Sequence, residues 1–296
     1  MPVKVIEATK LTKRFHEKVV FEDLDFSVAQ GEIVALLGEN GAGKSTLIKL
    51  LTQMMPKDEG TIQYFQQAKQ AQIDREKISV MSQETVKLQK IRVSELIQLA
   101  RSFSKHPLSY TTLLAYADLK EHEQVFVEKL SGGQRRRLGF ALALANNPEV
   151  IFLDEPTAGM DSFSRLKFWQ TVTQLKEQGK TFVVTSHYLE ELERVADRLV
   201  ILVNGRFVFE GTMDELRQNR GTSEICFYSD KPQAFWEEIA GVAKVQIVNH
   251  KVQLMTDDVP AFLHAMQAQF DSLEQLAIQP NSLALLFDHI QEENQR

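Results

Sequence analysis

The sequence predicts an α/β protein with a mixed β-sheet core, and three observations lead to that prediction. Short apolar segments at 32–37, 150–154 and 181–185 have the length and composition of buried strands. Each is followed by a segment with helical spacing, an alternation typical of parallel sheets. Residues 3–9 and 19–28 instead read as half-buried strand regions, which adds an antiparallel part near the N-terminus.

The amino-acid composition is that of an ordinary globular protein. It has 296 residues, 43% hydrophobic and 25% charged, which fits one large domain or two smaller ones. The net charge of −6 provides no basic surplus for nucleic acid. Cys226 is the single cysteine, so no intrachain disulfide exists. The N-terminus lacks the apolar core of a signal peptide, and no apolar run is long enough to span a bilayer.

The stretch from Gly38 to Thr46 fits the P-loop pattern G-x-x-x-x-G-K-[ST] between a predicted strand and a predicted helix. The glycines let backbone N–H groups surround a phosphate, and the helix N-terminus adds a favourable dipole. Lys44 would reach the outer phosphates, and the Ser45 hydroxyl would bind Mg²⁺. The phosphate-binding residues predicted here are Gly38, Glu39, Asn40, Gly41, Ala42, Gly43, Lys44, Ser45 and Thr46.

Two residues outside the loop are weaker candidates. Phe15 lies in a predicted polar turn where a base could stack on it, although spacing alone favours a core or rim phenylalanine. Gln83 follows a predicted strand at 78–81, at the sheet edge where ligands bind in α/β proteins. Between Phe15 and Gln83, the pattern of residues 61–65 predicts a strand, and that of residues 66–76 predicts a polar loop.

Helical spacing dominates from residue 93 to about 147 and predicts a helical insert of about 90–147. One apolar face is predicted at Leu96, Leu99, Ala100 and Phe103. Near the end of the insert, Leu130-Ser-Gly-Gly-Gln134 precedes a helix that Ser131 can cap, and its glycines predict an anion-binding nest. For the side chains of the run 135–137, Arg-Arg-Arg, a solvated first helical turn is favoured.

Polar residues follow the next two apolar strands. Asp154 and Glu155 end the strand 150–154, and after a P-loop such a carboxylate pair indicates Mg²⁺ binding and water activation. Asp161 follows in a turn before a helix at 162–178. His187 follows the strand 181–185, and alone it would be read as structural. A helix at 189–196 and a hairpin with an Asn-Gly turn come next.

The first predicted domain covers residues 1–220, and residues 221–296 differ from it in their pattern of strands and helices. Strand and helix patterns there follow the order βαββαβ, which predicts a small ferredoxin-like α+β domain with a closing helix at 282–290. No catalytic or metal-binding constellation is apparent in it.

The motifs occur along the chain in this order: the P-loop, Gln83, Leu130 to Gln134, Asp154 to Thr157, Asp161 and His187. Through these motifs, residues 3–218 resemble the ABC ATPase family. The resemblance implies that Phe15 stacks on adenine, that Gln83 senses Mg²⁺ and the membrane partner, and that Glu155 is the catalytic base. It implies that His187 is the switch histidine and that Asp161 belongs to the D-loop. Ser131, Gly132, Gly133 and Gln134 match the signature that contacts ATP held by the other subunit.

The resemblance also implies ATP and Mg²⁺ as cofactors and a head-to-tail pair, either homodimer or heterodimer, that holds two ATP. A separate polytopic permease is the expected membrane partner, with the chain on the cytoplasmic face of the cell membrane and no nucleic acid bound. Thr185 to Glu191 and the C-terminal domain resemble the exporter branch. An importer ATPase, a soluble ATPase acting on ribosomes or DNA, and a degenerate regulatory ATPase remain alternatives.

Overall fold

The computed structural model describes residues 3–66, 73–84, 88–220, 223–239, 241–256, 258–267, 270 and 273–294. It divides into two compact units, residues 1–210 and 211–296. The sequence predicts the boundary between 220 and 221 instead. The difference arises from the helix Met213–Arg220, which packs against the last helix of the second unit. The predicted loop at 66–76 falls largely outside the described residues.

The first unit is a mixed α/β body with a helical insert. In chain order its elements are β1 (Lys4–Phe15), β2 (Lys18–Ala29), β3 (Ile33–Leu37), α1 (Lys44–Leu51), β4 (Glu59–Tyr64), β5 (Ile78–Met81), α2 (Val93–Arg101), α3 (Tyr110–Tyr116), α4 (Gly132–Leu144), β6 (Val150–Asp154), α5 (Ser162–Glu177), β7 (Thr181–Thr185), α6 (Leu189–Val195), β8 (Arg198–Val203) and β9 (Arg206–Gly211). Short 3₁₀ turns at Lys120–His122 and Val127–Lys129 connect α3 to α4.

Two sheets form the body, as the mixed-sheet prediction requires. The larger sheet has the order β5-β6-β7-β3-β8-β9, and its pairs from β5 to β8 are parallel. Its strands β3, β6 and β7 are buried at every residue, which explains their wholly apolar sequences. The smaller sheet, β2-β1-β4, is antiparallel. The carboxyl ends of β3, β6 and β7 therefore meet at one edge of the larger sheet.

A single apolar core joins the small sheet, α1 and the large sheet. This core includes Ile6 and Phe21 from the small sheet, Leu47 from α1, and Val34 and Phe152 from the large sheet. All five side chains are almost fully buried. Burial of a side chain of this size contributes about 1.5–3 kcal/mol. The core therefore holds α1, and with it the preceding loop, firmly against the end of β3.

Two local predictions differ from the structure. Strand β1 continues to Phe15 through register shifts, so Phe15 ends a strand instead of lying in a polar turn. The predicted apolar face of α2 is wrong in part. The helix buries Leu96, as predicted, together with Val93 and Ile97, whereas Leu99 is 48% and Phe103 73% exposed. Helix α2 ends at Arg101, so Phe103 lies beyond the last turn.

The second unit has the predicted βαββαβ order, preceded by α7 (Met213–Arg220) and followed by a helix. Its elements are β10 (Ser223–Tyr228), α8 (Gln233–Glu237), β11 (Val242–Val248), β12 (Lys251–Thr256), α9 (Val259–Met266), β13 (Glu274–Pro280) and α10 (Leu283–Asn294). The antiparallel sheet has the order β11-β12-β10-β13, which is the ferredoxin-like arrangement. Phe227, Trp236 and Phe262 form the centre of its core. Within the described residues of both units, no helix is long and apolar enough to cross a bilayer.

Candidate active site

The loop between β3 and α1 forms the floor of the site. Nζ of Lys44 donates hydrogen bonds to the carbonyl oxygens of Gly38 at 2.6 Å and Glu39 at 3.0 Å. Gly43 has φ of +112°, and a Cβ there would lie 2.7 Å from the ring of Phe21. A side chain at residue 43 would thus clash with the core. Lys44 is held over a curved backbone whose N–H groups and helix end suit a phosphate.

Burial and nearby carboxylates shift the pKa of Lys44 in opposite directions. Burial lowers the pKa of the ammonium, whereas the carboxylates of Glu155, Asp154 and Glu39 raise it, and the net effect is a lowered pKa. A phosphate bound in the loop would add negative charge beside this ammonium and favour its charged form.

Asp154 ends β6 and is held from two sides. Thr185 Oγ1 donates a 2.6 Å hydrogen bond to Asp154 Oδ1, and Ser45 Oγ donates to Asp154 Oδ2 at 3.2 Å. Asp154 and Thr185 are directly opposite in the parallel pairing of β6 with β7. The hydroxyl of Ser45 and the carboxylate of Asp154 therefore lie together, and hard oxygen ligands of this kind suit Mg²⁺.

Glu155 has a left-handed backbone, with φ of +52°. Its N–H donates to both the carbonyl oxygen and Oγ1 of Thr185, at 3.2 and 3.1 Å. The guanidinium of Arg136 donates to its carbonyl oxygen at 2.7 Å. A non-glycine residue in this conformation costs roughly 1–3 kcal/mol, and such positions cluster at functional sites. A fourth hydrogen bond to this backbone comes from the N–H of Ala158, which donates to the carbonyl oxygen of Glu155 at 3.4 Å. Together these four bonds hold Glu155 in place.

The carboxylate of Glu155 is buried beside His187. Burial raises the pKa of Glu155, and Asp154 adds to that effect, while His187 and Lys44 oppose it. The N–H of His187 donates to Oε2 of Glu155 at 3.2 Å, and Nε2 of His187 lies 3.2 Å from Oε1. A carboxyl group with a raised pKa, next to an exposed imidazole, has the properties of a general base or water-orienting group.

These groups line one cleft of about 400 Å³. Phe15, 41% exposed, lies at its β1 side, and Gln83 joins it from the segment after β5. Lys18 and Val20 from β2 also line it, although nothing in their sequence context indicated a site. The lining residues are Phe15, Lys18, Val20, Asn40, Gly41, Gly43, Lys44, Ser45, Thr46, Gln83, Asp154, Glu155 and His187.

The signature segment lies outside this cleft lining. Ser131 caps α4: its Oγ accepts from the N–H of Gln134 at 3.2 Å, and Gln134 Oε1 accepts from the N–H of Ser131 at 2.8 Å. Ser131 and Gly132 are exposed, and a Cβ on Gly132 would meet nothing within 4 Å. Asp161 is likewise outside the lining and exposed, where it caps α5 by accepting from the N–H of Ser164 at 2.9 Å.

The sequence-based interpretation of the arginine run is wrong for Arg136. This side chain is 4% exposed, and it donates to the carbonyl oxygens of Ser82 at 2.9 Å and Glu155 at 2.7 Å. It joins α4 to the segment before Gln83 and to the end of β6. Burial lowers the pKa of its guanidinium, opposed by Glu155 and Asp154. A run of three arginines gives no signal for which one is buried.

Thr185 and Glu191 lie in the stretch that resembles the exporter branch, but the sequence analysis gave neither of them a role in the site. Thr185 could have been noticed as a hydroxyl at the carboxyl end of an apolar strand. Glu191 Oε2 accepts from Thr157 Oγ1 at 2.9 Å and Trp169 Nε1 at 2.7 Å, and Glu191 Oε1 pairs with Arg165 at 3.2 Å. Glu191 thus ties α6, which follows His187, to α5 and to the segment after Glu155.

Comparison with known proteins agrees with this geometry. The family model described as ABC transporter matches residues 21–158. The "Nod factor export ATP-binding protein I" of Burkholderia lata is 36% identical over 253 residues, which cover 82% of this chain and 83% of the relative. The protein of that name from Sinorhizobium fredii is 36% identical over 236 residues, covering 77% of this chain and 69% of the relative.

Solved structures give the same family. The ATP-binding subunit of an ABC transporter superposes with a TM-score of 0.65 at 27% identity, covering 73% of this chain and 93% of that one. A dimeric bacterial ABC transporter cassette has a TM-score of 0.63 at 27% identity, with coverage of 70% and 98%. A post-hydrolysis state of that cassette, bound to ADP and Pi, has a TM-score of 0.63 at 26% identity, with the same coverage. The chain therefore belongs to the ABC transporter ATP-binding family and is an ATP-hydrolysing subunit of its exporter branch.

Proposed function

We propose that the chain hydrolyses ATP while paired head to tail with a second ATPase subunit, and that this cycle powers export through a separate permease. One observation carries the pairing. The cleft contains the P-loop, Glu155 and His187, whereas Ser131 to Gln134 and Asp161 are absent from its lining. Ser131, Gly132 and Asp161 are exposed in the same chain, and Gly133 and Gln134 are half-buried. A signature from a second subunit would supply the missing wall.

In this proposal the loop residues 38–46 bind the phosphates. Lys44 exchanges its two carbonyl partners for phosphate oxygens, and the N–H groups at the start of α1 donate to them. Phe15 offers an exposed ring for the adenine base.

Ser45, Asp154 and Gln83 form the proposed Mg²⁺ site. Their hydroxyl, carboxylate and amide oxygens are the ligand type that Mg²⁺ prefers, and all three residues line the same cleft. Bound Mg²⁺ would neutralise charge on the phosphate oxygens. Thr185 holds Asp154 in place through its 2.6 Å hydrogen bond.

Glu155 orients and deprotonates the attacking water, and His187 positions the terminal phosphate. The raised pKa of Glu155 brings the carboxylate closer to the operating pH, which improves its efficiency as a base. Its strained backbone is held by Thr185 and Arg136, so the carboxylate does not have to reorganise during the reaction.

The partner subunit contributes the signature. Ser131 Oγ and the N–H groups of Gly132 and Gly133 at the start of α4 would meet the nucleotide held by the opposing P-loop. Asp161 would lie near the same interface. ATP then joins two subunits, and its hydrolysis removes the contact, which gives a two-state element driven by a ligand.

A complementation experiment tests the pairing. Ser131→Arg leaves the P-loop intact, and Lys44→Ala leaves the signature intact. A head-to-tail pair predicts that each variant alone is nearly inactive and that a mixture recovers activity, because one of its sites combines two intact halves. Normal hydrolysis by Ser131→Arg alone, or no recovery on mixing, would contradict the shared site.

A second experiment tests the permease partner. The tagged chain is isolated from gently solubilised membranes of its native cell, and the copurifying proteins are identified. An equimolar polytopic membrane protein is expected, which would hold the chain at the cytoplasmic face of the membrane. Copurification with ribosomal proteins alone would retain the ATPase chemistry and overturn the transport role.

A further inference from the structure

Both ends of the Gln134 side-chain amide are occupied within the chain. Oε1 accepts from the N–H of Ser131 at 2.8 Å, and Nε2 lies 2.7 Å from Nε2 of His122. His122 belongs to the 3₁₀ turn Lys120–His122, and neither its sequence context nor the motif analysis indicated a role for it. The contact links the signature to a separate element of the helical insert.

The partners determine which atom donates in each bond. A backbone N–H can only donate, so the oxygen of the Gln134 amide must face Ser131. The NH₂ group of Gln134 therefore faces His122, and it too can only donate. Nε2 of His122 must then be the acceptor, which places the proton of the neutral ring on Nδ1.

Protonation of His122 is incompatible with this arrangement. It would put an Nε2–H group against the NH₂ of Gln134. Rotation of the amide would present oxygen to His122, but it would also turn NH₂ toward the N–H of Ser131. Without rotation the bond between Gln134 and His122 is lost. With rotation the bond from Ser131 to Gln134 is lost, which removes half of the reciprocal cap of α4.

The turn that carries His122 is itself well anchored. The N–H of His122 donates to the carbonyl oxygen of Leu119 at 2.9 Å, and the N–H of Val125 donates to the carbonyl oxygen of His122 at 3.0 Å. Leu119 and Val127, on either side in sequence, are fully buried. The ring is thus presented from a rigid base, whereas Ser131 and Gly132 are exposed.

Charged groups of both signs surround the ring. The side chains that line the space beside His122 include Asp118, Lys120, Glu121, Arg137 and Lys167. Asp118 pairs with Arg137 at 2.9 Å and Lys167 at 3.4 Å, and Lys120 and Glu121 belong to the same turn as His122. The hydrogen bond to Gln134 involves Nε2 and therefore distinguishes this nitrogen from Nδ1.

We propose that His122 is a positioning residue for the signature. In its neutral, Nδ1-protonated form it holds Gln134, and Gln134 holds Ser131 and the start of α4 in the orientation that receives the opposing nucleotide. The final step rests on the proposed function, whereas the tautomer and the hydrogen bond do not. A His with a merely structural role would affect stability without a fixed tautomer or a dependence on Gln134.

The first test measures the tautomer in the full chain by nitrogen NMR of ¹⁵N-histidine-labelled protein. His122→Gln identifies the His122 signals by their loss. We expect wild-type His122 to carry its proton on Nδ1. Gln134→Glu keeps an acceptor for Ser131 but presents an oxygen to the ring, so the proton should move to Nε2. A wild-type Nε2–H ring, or a tautomer unchanged by Gln134→Glu, would overturn the proposal.

The second test measures the ATPase activity of the full chain and of variants at His122. His122→Phe removes the acceptor and should lower kcat by about two- to tenfold without weakening nucleotide binding to the cleft. His122→Gln restores a side-chain acceptor for the NH₂ of Gln134, so it should recover part of that loss. His106→Gln, at an exposed histidine of the same insert, is the matched control and should resemble wild type.

The two tests separate the proposals. Wild-type kcat in His122→Phe would overturn the positioning role even if the tautomer is as expected. If the Ser131→Arg and Lys44→Ala mixture fails to recover activity while His122 keeps its Nδ1 proton, the shared site is wrong and the hydrogen-bond relationship stands.

Discussion

Nε2 of His187 lies 3.2 Å from Oε1 of Glu155, and the backbone N–H of His187 donates to Oε2 of the same carboxylate. The residues follow β7 and β6, which are adjacent parallel strands. Both oxygens of the proposed base are therefore held by one residue. Movement of the segment after β7 would directly change the position of the base.

Replacement of Glu155 by Gln should abolish most hydrolysis and leave ATP binding intact. The amide keeps the shape of the side chain and still accepts from the N–H of His187, but it cannot take a proton from water. We expect turnover to fall by about 10²–10⁴-fold in a phosphate-release assay, with little change in nucleotide affinity. Glu190→Gln, at an exposed carboxylate nearby, is the control. Near-normal turnover in Glu155→Gln would remove Glu155 from the role of base.

The same substitution should change stability in a pH-dependent way. Burial raises the pKa of Glu155 in the folded protein above its unfolded value of about 4.3. The folded state then holds the proton to higher pH, so this contribution to stability is complete below about pH 4 and is lost as pH rises through the native pKa. Because the glutamine side chain does not titrate, Glu155→Gln removes this loss of stability at higher pH.

Thermal unfolding of both proteins across pH checks this prediction. Glu155→Gln should have the higher Tm at about pH 8, and the difference should shrink towards about pH 4. A Tm below that of wild type at pH 8, or a difference independent of pH, would contradict the raised pKa.

Thr185→Val should impair hydrolysis beyond its effect on stability. The substitution removes the donor to Asp154 and one acceptor for Glu155, at a cost of about 1–3 kcal/mol. Thr181→Val is a matched control, because Thr181 is equally buried and its Oγ1 accepts from the N–H of Gly31 at 2.8 Å, away from the cleft. We expect both variants to lose similar amounts of stability, and only Thr185→Val to lose ATPase activity. Equal activities would argue against a role for Thr185 in the site.

Arg136→Met should slow hydrolysis by freeing the backbone of Glu155. Methionine fills similar space but removes the guanidinium that donates to the carbonyl oxygens of Ser82 and Glu155, at a cost of about 1.5–3 kcal/mol. The carbonyl oxygen of Glu155 then keeps the longer hydrogen bond from the N–H of Ala158, at 3.4 Å. Arg137→Met loses the ion pair with Asp118 but no contact to the cleft, and it serves as the control. Denaturant unfolding and ATPase rates should separate the two variants. Unchanged kcat in a folded Arg136→Met protein would limit Arg136 to a packing role.

Phe15→Ala should weaken nucleotide binding with little effect on folding. Loss of base stacking costs about 1–3 kcal/mol, and Phe15 is already 41% exposed in the cleft. Phe15→Trp retains a ring and should restore affinity, measured with a fluorescent ATP analogue. Phe163→Ala, at a more exposed ring outside the cleft lining, is the control and should bind nucleotide as wild type does.

Local features of the site were largely predictable from the sequence. The P-loop, the apolar strands ending at Asp154 and Thr185, and the cap at Ser131 each depend on residues close together in the chain, whose spacing limits the backbone. The βαββαβ order of the second unit was predicted on the same grounds. Where the periodicity was ambiguous, as at Leu99 and Phe103, the prediction of a buried face was wrong.

The sequence by itself therefore determined the family, the strand and helix order, and most of the candidate residues, because these depend on short-range patterns. Tertiary structure decided which side chains meet. The hydrogen bond from Thr185 to Asp154 requires β6 and β7 to be neighbours in register, and the sheet order β5-β6-β7-β3-β8-β9 does not follow chain order. The burial of Arg136 and the contact of His122 with Gln134 likewise join segments whose approach depends on packing, because hydrogen bonds between distant residues have no fixed spacing along a chain.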